Sequence, residues 1–463
     1  MNMESPSATV TRSVTNDTPG LRLSDLISAL SFALDLTEGQ PMGHAVNCCV
    51  IGMRLAEILG VAREERSNLY YALLLKDAGC SNNAARMYQI FGGDDIKAKR
   101  EVKTTDWSRM TFDGLQYLLR NVMPGKSTLE RVLSMANVVV NRNSQTSELI
   151  ELRCERGASI ARRIGFSEDT ARAIQALDEH WDGKGFPNRL KGEAIPLFAR
   201  ILSVAQTLEV FATLNGPEEA LRTIEDRSGT WFDPEVARAA KELRADDKLW
   251  AALMDGSARD IAMGLEPEER VMHASEASID SICNAFAEII DAKSPYTHRH
   301  SLGVEAATTA IGMQLGLPEK DMPVLRRAAL LHDIGKLSVP NSILDKPGKL
   351  TAQEWETVRL HPYYTQRILE RISGFAHLAF LASSHHEKLN GSGYYRNLRG
   401  PQLPMSSRAM VVADIYDALA AKRPYRDALP TETVLEIMGK EVPHALDPDC
   451  FNALQVWLQK KQA

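Results

Sequence analysis

The chain is 463 residues long, 44% hydrophobic and 25% charged, with a formal net charge of −6. That balance is ordinary for a soluble globular protein, and the length suits two or three domains. The acidic excess argues against a broad electrostatic footprint for duplex nucleic acid or an anionic membrane surface. Residues 1–20 are rich in Ser and Thr and lack the basic-then-apolar layout of a signal peptide, so they read as a mobile tail. From Leu23 to Leu36, apolar residues recur at helical spacing. The same periodicity predicts helices over 45–59, 325–331, 355–360, 368–372, 409–421 and 434–438. Strand-like alternation is scarce, so the expected class is all-α. No apolar run approaches the ~20 residues of a membrane span, and the 16 methionines read as core filler. Six cysteines without a Cys-x-x-Cys pair read as buried thiols of a reducing, cytoplasmic compartment.

The sequence repeats itself. His44, Asp77 and Gly79 recur 256 positions later as His300, Asp333 and Gly335, with Lys76 opposite His332 and Cys80 opposite Lys336. Further on the offset is 208: Gly183-Lys184-Gly185-Phe186-Pro187 aligns with Gly391-Ser392-Gly393-Tyr394-Tyr395, Arg200 with Arg408, and Gln206 with Asp414. The change of offset places about 48 extra residues in the first copy, between Ser81 and Glu151. Asp233-Pro234 and Asp447-Pro448 close the two copies. Copy one is expected at 21–243 and copy two at 277–463, joined by a charged connector at 244–276 and packed directly on each other.

Copy two concentrates the chemistry. It holds His298, His300, His332, Asp333, His361, His385, His386 and Asp414. Imidazole and carboxylate together suit Fe, Mn or Zn. His332 and Asp333 are adjacent and cannot both point one way from a regular helix, so the aspartate is a candidate bridge between two metals.

The stretch His332-Asp333-Ile334-Gly335-Lys336 resembles the signature of the HD superfamily of metal-dependent phosphohydrolases. His385-His386-Glu387 followed by Gly391-Ser392-Gly393-Tyr394-Tyr395 resembles the HD-GYP subfamily of bacterial cyclic dinucleotide phosphodiesterases. Further blocks accompany them at Tyr296-Thr297, Ile343–Gly348, His361-Pro362, Asp414–Leu419 and Arg423–Arg426. The resemblance implies two tandem HD-type helical domains, the first degenerate and the second an intact HD-GYP domain. It implies two divalent metals, Fe or Mn, with His332, Asp333 and Asp414 on one and Asp333, His361, His385 and His386 on the other. Two such metals lower the pKa of a bridging water and clamp a phosphodiester. Lys336 is similar to the family lysine beside the phosphate, catalytic together with Asp333. His300, Lys346, Arg423 and Arg426 are the implied substrate contacts. The implied substrate is cyclic di-GMP or 3′,3′-cyclic GMP-AMP, cut to a linear dinucleotide. A nucleotidase of the wider superfamily and a non-enzymatic cyclic dinucleotide receptor are the alternatives. Signalling proteins are implied partners.

Three departures from the family pattern stand out. Gly-Tyr-Tyr replaces Gly-Tyr-Pro at 393–395, which should leave that loop freer. Thr365 stands where glycine is usual. Lys293-Ser294-Pro295-Tyr296 lacks the glutamate of a third metal site, so two metals are expected. In copy one only His44 and Asp77 persist. Lys76, Arg153, Leu177, Asp178 and Gln206 occupy the other ligand positions, and Lys76 and Arg153 are expected to pair with Asp77 and Asp178. This copy reads as a structural partner or as a docking pseudo-domain.

Overall fold

Apolar residues at helical spacing need a second surface to cover them, and here helices supply it to one another. The computed structural model describes residues 21–103, 142–266, 274–297, 299–422 and 426–462, with scattered positions between 120 and 138. The N-terminal tail, most of the copy-one insertion after residue 103, part of the connector, His298 and Arg423 lie outside the described residues. Among those described, secondary structure is helical apart from isolated bridges such as Ser228 with Phe232 and Asn390 with Arg399.

The helices of the first half are α1 (Leu23–Thr37), α2 (His44–Ile58), α3 (Arg66–Leu75), α4 (Ala84–Phe91), α5 (Asp95–Val102), α6 (Arg142–Ile164), α7 (Glu168–Gln175), α8 (Leu197–Asn215), α9 (Pro217–Asp226) and α10 (Pro234–Glu242). Next come α11 (Asp247–Asp255) and α12 (Ala258–Leu265). The second half contains α13 (Glu276–Asp291), α14 (His300–Gln314), α15 (Met322–Leu331), α16 (Asn341–Leu344), α17 (Ala352–Arg359), α18 (His361–Leu369), α19 (Ala376–Ala382), α20 (Met405–Ala420), α21 (Thr431–Gly439) and α22 (Pro448–Gln462).

The repeat read from residue types is also a repeat of elements. Helices α14 and α15 begin and end 256 positions after α2 and α3, and α20 begins 208 positions after α8. Polar locks recur with them. Asp35 accepts from the backbone N–H groups of Gly43 and Ala45, and Asp291 accepts from the N–H and hydroxyl of Ser301. Arg200 pairs with Asp233 at 2.5 Å, and Arg408 with Asp447 at 3.0 Å.

One apolar core runs through both halves. Helix α1 packs on α2 and α3 and also reaches α18 and the 3₁₀ turn Ile334–Ser338 of the other half. At the edge, Arg156 and Arg163 pair with Glu288, and the Arg371 guanidinium lies 4.2 Å from the centre of the Phe32 ring. Helix α8 is, by length and composition, apolar enough to cross a bilayer, contrary to the reading that no run approaches that length. Half of its apolar window is buried, and it packs on α2 and α9, so its hydrophobicity is also that of a core helix.

Candidate metal centre

The copy-two histidines hang from helix ends. His332 follows the last residue of α15, His361 opens α18 directly after α17, and His385 lies just beyond α19. A helix end leaves carbonyls without partners. Each of these rings donates its Nδ1–H to the carbonyl three residues back: His332 to Ala329 at 2.7 Å, His361 to Val358 at 2.6 Å and His385 to Ala382 at 2.6 Å. One bond thereby covers an orphan carbonyl and commits Nδ1 as its donor, turning each Nε2 inward, as a bare lone pair in the neutral rings of His361 and His385.

Those Nε2 atoms converge on Asp333. Its Oδ1 lies 3.4 Å from the Nε2 atoms of both His361 and His385. Its Oδ2 lies 3.3 Å from His332 Nε2 and 3.5 Å from His300 Nε2. Asp414 Oδ1 stands 3.3 Å from His300 Nε2 and 3.7 Å from His332 Nε2, and its Oδ2 is 3.6 Å from His386 Nδ1. Asp333 is therefore common to two sets of donors, one with His361, His385 and His386, the other with His300 and His332. His332, Asp333, His361, His385 and Asp414 are all buried.

This donor set fits divalent cations. His300 Nε2, His332 Nε2 and Asp333 Oδ1 are buried without a hydrogen-bond partner. The Nε2 atoms of His361 and His385, both lone pairs, face each other at 3.0 Å. Buried lone pairs in that arrangement repel unless a cation lies among them. Imidazole with carboxylate is the chemistry of Fe, Mn and Zn. Burial lowers the pKa of His361, His385 (to about 4) and His386, keeping them neutral, as ligands must be. Burial works the same way on His332, but the adjacent Asp333 and Asp414 outweigh it and raise that ring to about 9. Burial also opposes ionisation of Asp333, yet His332 and Lys336 hold its carboxyl well below the usual range.

The backbone around these side chains leaves little room. A Cβ on Gly335 would stand 2.0 Å from the His361 carbonyl oxygen, so only glycine lets the 3₁₀ turn cross the start of α18. Thr365, in the place of the usual glycine, accepts from Gly335 N–H at 3.1 Å and donates to the His332 carbonyl at 2.8 Å. Gly393 has equally little space, its Cβ position being 2.5 Å from the His386 carbonyl oxygen. Glu387, buried beside the histidine pair, accepts from the N–H groups of Arg396 and Leu398, both at 2.8 Å, and so fastens the following loop.

The remaining expectations divide. Lys336 Nζ lies 2.5 Å from Asp333 Oδ2. His300, expected to face the phosphate or to complete a partial third metal site, is buried among the donors, its Nδ1 bonded to Asp417 at 2.6 Å. Lys346 is committed to Glu354 at 2.7 and 2.9 Å. Arg426 donates to the carbonyls of Ala418, Leu419 and Ala421 at the end of α20 and so acts as a helix cap. Arg423 is outside the described residues. Tyr395, expected to free its loop, is held there: its hydroxyl bonds Gln366, and Arg396 lies 5.4 Å from its ring centre. Asp417 was missed by the sequence reading; its place one helical turn after Asp414 was the available signal.

Copy one shows what replaces this chemistry. Lys76 Nζ bonds Asp77, lies 3.0 Å from His44 Nε2 and 3.2 Å from Gln206, and so sits among the counterparts of Asp333, His300 and Asp414. Arg153 pairs with Asp178, counterparts of His361 and His386. His44 Nδ1 meets Glu209 as His300 meets Asp417. Lys103 adds a second cation, 3.2 Å from Glu38 and 3.8 Å from Asp77. Internal cations pair the acids of this copy.

Comparison with known proteins agrees with the geometry. A family model for the HD domain matches residues 130–236 and 284–450. The chain is 44% identical over 433 residues to a 3′3′-cGAMP-specific phosphodiesterase 3 of Vibrio cholerae, covering 94% of each. It is 30% identical over 297 residues to a cyclic di-GMP phosphodiesterase of Pseudomonas aeruginosa, covering 63% of this chain and 69% of that one. The crystal structure of a cyclic GMP-AMP specific phosphodiesterase of Vibrio cholerae superposes with a TM-score of 0.66 at 39% identity, over 95% of this chain and 98% of the other. The His-Asp motif, the helical fold and these matches together establish that the chain belongs to the HD domain family.

Proposed function

We propose that the protein is a metal-dependent phosphodiesterase that hydrolyses a bacterial cyclic dinucleotide, cyclic di-GMP or 3′,3′-cyclic GMP-AMP, to the linear dinucleotide. One observation carries the reading: buried, unpartnered imidazole and carboxylate donors converge on Asp333, whose two oxygens face separate donor groups. On this reading residues 277–463 are the catalytic copy and residues 21–243 a degenerate one packed against it. Asp333, His332 and Asp414, with His300 beside them, would hold one divalent cation. Asp333, His361, His385 and His386 would hold the second, with Fe or Mn best suited to the donors. Such a pair supplies Lewis acidity to the phosphodiester and lowers the pKa of water. The residues of the chain do the rest. The carbonyl-bonded histidines keep their lone pairs aimed inward. Asp333 stays ionised beside Lys336. Lys336, one side chain away from the donor group and partly exposed, places a positive charge for the phosphate oxygens. The long match to a 3′3′-cGAMP-specific relative favours that substrate. Six unpaired cysteines support a cytoplasmic location.

The test uses the full chain loaded with Mn(II) or Fe(II), a panel of cyclic di-GMP, 3′,3′-cyclic GMP-AMP and cyclic di-AMP, and chromatographic detection of products. Linear dinucleotide should appear, and Asp333→Ala should lose both turnover and metal. A fully metallated chain inert to all three substrates would overturn the reading.

A further inference from the structure

Helix α5 belongs to the segment that copy one has and copy two lacks, and its two ends are engaged in different copies. At its C-terminal end Lys99 donates to the Cys80 carbonyl at 2.7 Å and pairs with Glu38, while Lys103 pairs with Glu38 and Asp77 inside the copy-one pocket. At its N-terminal end Asp95 is buried against copy two. Both oxygens of that carboxylate are used. Oδ2 accepts from Lys293 Nζ at 3.0 Å, and Oδ1 accepts from the backbone N–H of Asn341 at 2.6 Å.

Lys293, on the loop after α13, and Asn341, the first residue of α16, belong to two segments next to the candidate metal centre. The first loop leads into His300 through successive turns, Thr297 N–H to the Ser294 carbonyl and His300 N–H to the Thr297 carbonyl. The second segment follows the 3₁₀ turn that carries Lys336. The segments are also stitched to each other. Asn341 donates to the Lys293 carbonyl at 2.7 Å and to Asp345 at 2.8 Å, and Ser294 donates to Asp345 at 2.5 Å. Asp95 lies at the junction of this network and is its contribution from the other copy. Lys293 is itself fully buried, and a buried ammonium without a counter-ion is strongly unfavourable. The geometry therefore ties the two segments to α5, and α5 to the copy-one pocket.

We infer that Asp95 is a positioning residue for the copy-two site, and that α5 is the strut through which copy one holds the His300 and Lys336 segments in register. This rests on reading the copy-two site as hydrolytic. It assigns the degenerate copy a role in catalysis without giving it a ligand.

The experiment uses the full-length chain loaded with Mn(II), as parent, Asp95→Asn, Asp95→Ala and the double variant Asp95→Asn/Lys293→Met. Turnover is measured on 3′,3′-cyclic GMP-AMP and on bis(p-nitrophenyl) phosphate, beside metal content and amide hydrogen exchange. Asp95→Asn should lower kcat at least tenfold on both substrates, with metal stoichiometry retained. Exchange should quicken in residues 293–300 and 334–346 while α2 stays protected. The double variant removes the stranded ammonium and keeps an acceptor for Asn341, so it should recover most of kcat. If Asp95→Ala does not fold, Asp95→Asn and the double variant decide the matter. Parent-like kcat and loop exchange in Asp95→Asn would overturn the strut, and so would a uniform loss of protection across the whole chain with no local excess. A parent that cleaves bis(p-nitrophenyl) phosphate but no cyclic dinucleotide would overturn the proposed substrate class instead, and the strut would still be decided on the synthetic diester.

Discussion

Lys336 and Asp333 are in direct contact, and the lysine helps keep the aspartate ionised, yet they have different tasks. Asp333 faces the Nε2 atoms of four histidines, whereas the lysine is partly exposed at the edge of the group. Lys336→Ala should therefore keep metal and KM and lose about 10²–10³ in kcat, the usual effect of a charge used mainly in the transition state. Metal analysis beside steady-state kinetics checks this; loss of metal would place the lysine in support of the ligand instead. Asp35 gives a second prediction. Burial raises its carboxyl to about 7, against an ordinary value near 4. The folded state then binds a proton that the unfolded state has released. Its contribution is fully present below about pH 4 and is lost as pH rises to about 7, on the order of 4 kcal/mol at most. Urea unfolding at pH 5 and pH 8 should show the parent losing stability over this interval and Asp35→Asn losing markedly less.

Among elements, Arg426 was expected at the substrate and is found on the end of a helix. A basic residue in a loop near a phosphate site suggests substrate, but its guanidinium covers three carbonyls at the end of α20. Arg426→Ala should cost about 2 kcal/mol of stability and leave KM within about twofold of the parent. Thermal unfolding and steady-state kinetics together distinguish a cap from a contact. The helices that carry the site were legible because α2 and α3 recur as α14 and α15 without insertion, so matched residues fall on matched turns. The candidate donor cluster was legible because a His-Asp and a His-His doublet stand among helical segments of one copy. Asp417 and Glu209 were not, since a single acid one turn along a helix resembles any solvated face until its histidine partner is seen. Asp95 was less legible still. Nothing in a polar insertion announces that one carboxylate will be buried against a lysine 198 positions away.

In the whole molecule, two copies of one fold have reached electrostatic balance by different means. The C-terminal copy leaves buried lone pairs that call for cations, and the N-terminal copy fills the matching space with Lys76, Lys103 and Arg153. Removing one of these internal cations should therefore damage the fold without creating a metal site. Lys76→Met should destabilise the chain by about 3–5 kcal/mol, because Asp77 loses a buried partner. The full chain should still bind metal only at the C-terminal donors. Urea titration and elemental analysis check the two halves of this prediction, and extra metal in the variant would contradict it.

That internal neutralisation also has a consequence for descent. To match the donors of copy two, copy one would have to exchange Lys76, Arg153, Leu177 and Asp178 for histidine and Gln206 for aspartate. The exchanges at Lys76, Arg153 and Gln206, each made alone, remove a cation or add an acid beside carboxylates already buried, before any ligand set is complete enough to hold a metal in compensation. Each such single exchange is therefore expected to destabilise the chain. With lysine and arginine standing where the other copy gathers its donors, a metal site cannot be built in this copy by single steps, and what remains open to it is to hold its neighbour in place.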